Sequence, residues 1–105
     1  MITVTVDAGI CGFVSTIRAE SDDGQTVRVS IDSKCESVAA LGPELAACDA
    51  YSIAFAKYGA SPVYQAADRH FKHGACPVPA TVVKAVEAAA NLALPKDVIM
   101  NIVKQ

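Results

Sequence analysis

The stretch Phe13-Val14-Ser15-Thr16-Ile17-Arg18-Ala19-Glu20-Ser21-Asp22-Asp23-Gly24-Gln25-Thr26-Val27-Arg28-Val29-Ser30-Ile31 decides the fold. Phe13, Ser15, Ile17 and Ala19 fall on one side of a period of two, with Val14, Thr16, Arg18 and Glu20 on the other. That is the pattern of a half-buried strand. From Gln25 to Ile31 the same alternation sets Val27, Val29 and Ile31 against Thr26, Arg28 and Ser30. Between them Ser21-Asp22-Asp23-Gly24 is turn chemistry, and Asp-Gly is a strong hairpin signal. The two runs therefore predict an antiparallel β-hairpin.

On the N-terminal side, Ile2, Val4 and Val6 alternate with Thr3 and Thr5, which predicts a short strand ended by Asp7-Ala8-Gly9. Cys11 then stands between Gly9 and Gly12, residues that allow unusual backbone angles. On the other side the chain turns helical. Ser33-Lys34-Cys35-Glu36 fits a capping box, so a helix is expected there with Val38, Leu41 and Leu45 inward. Gly42-Pro43 should split it in two. Asp49 is placed to cap the next turn, with Ile53 and Phe55 as anchors before Tyr58-Gly59-Ala60. Ser61-Pro62 opens a further helix carrying Val63, Ala66, Ala67 and His70, with Gly74 as its expected stop.

Pro79 opens the last helix, whose apolar face is Val82, Val83, Val86, Ala89 and Ala90, up to Asn91. After Pro95, the β-branched run Val98 to Val103 predicts a final strand returning to the sheet. The expected fold is α+β: a two-layer sandwich in which a small, mostly antiparallel sheet, made of the hairpin and the N- and C-terminal strands, carries helices on one face. Residues 1–105 are expected to form a single domain, a length that supports one core.

Composition narrows the function. The 105 residues are 52% hydrophobic and 19% charged, which favours a globular chain with a self-association face, hence a homodimer. Nine basic against eleven acidic residues, with no Lys/Arg cluster, leave little for a nucleic-acid backbone to hold. No stretch reaches the roughly 18 apolar residues of a membrane helix, and Met1 to Asp7 lacks the plan of a signal peptide. The expected location is the cytoplasm, where thiols stay reduced. Four cysteines there are packing residues, metal ligands or redox thiols rather than a disulfide framework.

Counting residues brings two of them together. If the hairpin turn centres on Asp23, Cys11 lies twelve residues before it and Cys35 twelve after, so both should meet at its open end. Cys35, as the second residue of the capped helix, would feel free N–H groups that favour a thiolate. Cys76, in His73-Gly74-Ala75-Cys76-Pro77-Val78-Pro79, sits just ahead of another helix, and the same argument applies. His73 could turn toward it, although a basic residue in the last turn of a helix also complements the helix dipole. Three cysteines and a histidine form a zinc set, and three cysteines with an open position can hold an iron–sulfur cluster. There is no C-x-x-C, so such a site depends on distant loops converging.

Other readings compete. Cys48, in Ala46-Ala47-Cys48, reads as a small buried hydrophobe, and Cys11 could equally be packing at a tight turn. His70 reads as a hydrogen-bonded core or interface residue, and Tyr51, Tyr58 and Tyr64 as packing. No phosphate loop, H-E-x-x-H or G-x-S-x-G is present.

Gly9-Ile10-Cys11-Gly12-Phe13, Cys35 ahead of the Val38-Ala39-Ala40-Leu41 helix, Lys72 to Pro79, and Leu92-Ala93-Leu94-Pro95-Lys96-Asp97-Val98 together resemble a family of small uncharacterised proteins, a domain of unknown function, of anaerobic bacteria and archaea. The resemblance spans nearly the whole chain and implies no activity. It implies that Cys11, Cys35 and Cys76 match family cysteines that are candidate metal or cluster ligands. The family pattern has another cysteine near Phe71, which cannot bind a metal; this leaves His73, an external ligand or an incomplete set. The leading expectation is a small metal- or cluster-binding protein with a structural, electron-transfer or cluster-handling role. The alternatives are a thiol enzyme or persulfide carrier using Cys35 or Cys76, and a dimeric interaction module whose cysteines only pack.

Overall fold

In the computed structural model, which describes all 105 residues, three strands follow in order: β1 (Ile2–Asp7), β2 (Val14–Glu20) and β3 (Thr26–Asp32). All pair antiparallel, with Ile17 of β2 beside Val4 on one side and Ile31 on the other. The alternation sends Ser15, Ile17, Ala19, Val27 and Val29 inward, all buried. Arg18, Arg28 and Ser30 stay exposed on the other face, where Arg28 pairs with Glu20 at 3.2 Å and Asp22 at 3.1 Å.

The hairpin closes as expected, but its register centres on Gly24 rather than Asp23, since Glu20 faces Arg28. Gly24, at φ +74°, supplies the left-handed residue. Asp23 Oδ1 accepts the N–H groups of Gln25 and Thr26 at 2.9 Å each, which holds its carboxyl below the usual range. The Ser21 hydroxyl donates to the Thr26 carbonyl across the tip.

Helices α1 (Glu36–Ala39) and α2 (Leu41–Glu44) are single turns. The split falls at Ala40, so Pro43 sits in the first turn of α2, where its missing N–H costs little. The capping box does not form. The Ser33 hydroxyl instead accepts from the buried Ser15 hydroxyl (2.8 Å) and from the Cys35 N–H (3.1 Å), and Cys35 itself becomes the N-cap. A buried hydroxyl needs a partner, and Ser15, 1% exposed, takes the one that would have capped the helix.

The fourth strand is not the expected one. β4 (Ala47–Asp49) adds to the far edge of β3, giving the order β1-β2-β3-β4, whereas Val98 to Val103 forms no strand and stays exposed. Asp49 caps α3 (Ala50–Ala54) as expected, accepting from the Ser52 N–H. A 3-10 turn at Tyr58–Ala60 precedes α4 (Pro62–His70), capped by Ser61.

Gly74 is not the stop of α4. Phe71 already turns extended (φ −88°, ψ 146°) and packs its ring against the core three residues earlier.

The last helix, α5 (Val78–Ala89), packs Val78, Val82, Ala85 and Val86 on the sheet. Fully burying each valine contributes about 1.5–3 kcal/mol. The result is an α+β architecture, one antiparallel sheet with helices on a single face and one cluster of 18 buried residues between the layers.

α5 ends in a Schellman motif: the Leu92 N–H reaches Glu87 O (2.9 Å) and the Asn91 N–H reaches Ala88 O (3.2 Å), with Asn91 at φ +61°. Asn91→Val is expected to destabilise by about 1–2 kcal/mol, because a β-branched residue resists this region, while Asn91→Gly is tolerated or stabilising. Thermal melts of the two variants check the ordering.

Candidate functional site

The β1–β2 turn and three helix ends, the start of α1, the end of α4 and the start of α5, line a cavity of about 190 Å³ at the end of the sheet away from the Gly24 tip. Cys11, Cys35, Cys76 and His73 all line it, with Phe13, Val38, Phe71 and Val78 forming apolar walls. Each thiol arrives on a different element.

Cys11 sits in the turn joining β1 to β2, not on an extension of β2. Gly9 and Gly12, at φ +92° and +78°, reverse the chain there, and the Gly12 N–H closes on Gly9 O at 2.9 Å. The pairing expected from counting therefore does not occur as a strand pair, yet the turn still delivers Cys11, exposed, to the cavity rim.

Cys35 stands half-buried at the start of α1, and its N–H is tied to Ser33. Because α1 is one turn long, the macrodipole that was expected to act on this thiol is that of a single turn.

Cys76 lies in the irregular segment between α4 and α5, half-buried. Its thiol ionises above the ordinary range, the reverse of the shift expected from its place ahead of a helix. Burial is the main cause; the Val78 N–H opposes it, and the neighbouring Cys35 and Cys11 sulfurs add to it by repulsion. His73 lies three residues before Cys76 on the same segment, outside α4, so it plays no part in completing that helix.

Convergence on one cavity is not coordination. No three His, Cys, Asp or Glu side chains stand close enough together to hold a metal ion.

The other candidates fall elsewhere. Cys48, on β4, points its Sγ at Leu45 O (3.0 Å) and packs against the core, and burial raises its thiol. His70 is not a core residue: with Arg69 it engages Glu44, holding that carboxyl below the usual range and pinning α4 to α2. Tyr58 and Tyr64 pack edge to face at 5.0 Å, and Tyr51 stacks on Phe55 at 6.0 Å, none of them on the cavity.

Alternation and helical spacing already turn Phe13 and Val38 inward, but they do not mark Phe71, which lines one side of the cavity. The signal was its place two residues ahead of His73, past the last stripe residue of α4.

No helix is long and apolar enough to cross a membrane. Comparison with curated proteins and with solved structures gives no match. The family model described as "Family of unknown function (DUF6951)" matches residues 2–102, and the chain belongs to that family.

Proposed function

We propose that the cavity is a soft-metal site in which Cys11, Cys35 and Cys76 supply thiolates to an iron–sulfur cluster or a zinc ion, with His73 as the fourth donor. The observation that carries this reading is the convergence of three thiols, from three separate elements, on one cavity with His73. Three cysteines and a histidine are a matching donor set for zinc, and three cysteines suffice to anchor a cluster.

Burial above all, with a smaller contribution from Cys35 and Cys11, favours the Cys76 thiol over its thiolate, so metal binding there would release a proton and tighten as pH rises. The donors stand too far apart here to share an ion, so binding requires Cys11 and the Cys76–His73 segment, both outside regular elements, to draw toward Cys35 at the start of α1. Lys72, also on the cavity, adds a cation beside an anionic centre. For the thiol-enzyme alternative, burial keeps Cys76 in the less nucleophilic state.

Anoxic purification followed by metal and sulfide analysis and a visible spectrum tests the proposal. Bound zinc, or iron with sulfide and broad visible absorption, is the expected result. Protein that stays metal-free after anoxic reconstitution with iron and sulfide, and that fails to bind zinc in titration, overturns it.

A further inference from the structure

Beyond Pro95 the chain carries Val98-Ile99-Met100-Asn101-Ile102-Val103, and Val98, Ile99, Met100, Ile102 and Val103 are 62%, 79%, 69%, 94% and 70% exposed. No backbone hydrogen bond reaches this run. Five apolar residues in a β-favouring row, all facing water, are more than a folded monomer ordinarily leaves uncovered.

The sheet offers a matching vacancy. β1 is an edge strand of six residues, the same length as the run, and the backbone groups on its outer side have no partner.

We infer that Val98–Val103 of one copy adds as a strand to the β1 edge of a second copy, and that the exchange is reciprocal, giving a twofold dimer. Register supports the fit. With Val98, Met100 and Ile102 turned to the helix side, they extend the row of Ile2, Val4 and Val6, of which Ile2 and Val4 are only half-buried.

The second copy is favoured over the chain's own edge by strand direction. α5 runs from the cavity to the hairpin tip, where a Cβ at Gly24 would lie 3.6 Å from Ala90 O. The run therefore leaves α5 at the end where β1 begins, because Ile2 faces Ala19 near that tip. Folded back on its own chain, it would lie parallel to β1. The arm of another copy can lie antiparallel, like every pair already in the sheet. Stacking two sheets through their open faces would instead bury Arg18 and Arg28.

Each copy then both donates and receives a strand, and both arms leave water together.

Light scattering on the full chain and on a chain ending at Lys96 tests the inference. Because the arm is no part of the core, the shortened chain should fold, which circular dichroism confirms. The full chain should weigh twice the 10.9 kDa of one chain, and the shortened chain should weigh as a single copy of its own, smaller mass. In a dimer of differently labelled copies, methyl contacts should run from Val98, Met100 or Ile102 of one copy to Ile2 or Val4 of the other. A monomeric full chain, a dimer that survives shortening, or contacts confined within one chain overturns the inference.

Discussion

Ile17→Ala is expected to lower the free energy of unfolding by about 2–5 kcal/mol, a large part of the roughly 5–15 kcal/mol that holds a domain of this size. Ile17 is 0% exposed, lies on the second strand of a four-stranded sheet, and is flanked by Val4 and Ile31. Removing three carbons there forfeits their transfer energy and opens a void that backbone hydrogen-bonded on both sides cannot collapse into. Ile17→Val, which removes one carbon, should cost about 0.5–1.5 kcal/mol. Urea denaturation reads both as shifts of the midpoint at constant slope. A loss below about 1 kcal/mol for the alanine variant would mean that the helical layer does not press on β2 as described.

The second large effect is expected at the thiols, and it should leave the fold alone. If the proposed site binds metal, the variant carrying Cys11→Ser, Cys35→Ser and Cys76→Ser together should lose it to background. The metal-free melting temperature should change by a few degrees at most, because Cys11 is exposed and the other two are half-buried at a rim. Cys48→Ser should keep the metal.

A pH series adds a sign. The Cys76 thiol ionises higher in the fold than in the unfolded chain, so its contribution to stability is complete below the ordinary thiol value of 9.0 and is lost as pH rises through the folded value. Cys76→Ser should remove part of that alkaline decline, leaving the parts due to Cys48 and Tyr64, both raised as well by burial. Retention of metal by the triple variant would sink the proposed site while leaving the cavity and the fold as they are.

The parts of this fold that were legible in sequence are those dictated by local chemistry. Alternation fixed which side of residues 13–31 is buried, Ser61-Pro62 marked the start of α4, and Asp49 capped α3, because each depends on residues within a few positions. The failures share a different cause, competition from distant partners. Ser33 had the spacing of a cap but was taken by Ser15, eighteen residues away. Gly74 looked like a helix stop, but core packing of Phe71 ended α4 first. β4 is three residues of Ala-Cys-Asp with no strand signal of their own, held by the edge of β3. Val98 to Val103 has the propensity but no strand beside it in its own chain.

The candidate site was legible only as far as the ends of individual elements. Helix starts and glycine turns could be placed along the chain, so Cys11, Cys35 and Cys76 could be assigned to ends of elements. The meeting of those ends is a property of the packed layers, and so is the burial that turned the shift of Cys76 upward rather than downward.

α5 begins at the cavity and ends at the hairpin tip, twelve residues later. At about 1.5 Å per residue, that is a rod of about 18 Å. It sets the thiol cavity and the start of the C-terminal run at opposite poles of the sheet, so a substitution at the sulfurs and a shortening of the run touch side chains that share no direct contact.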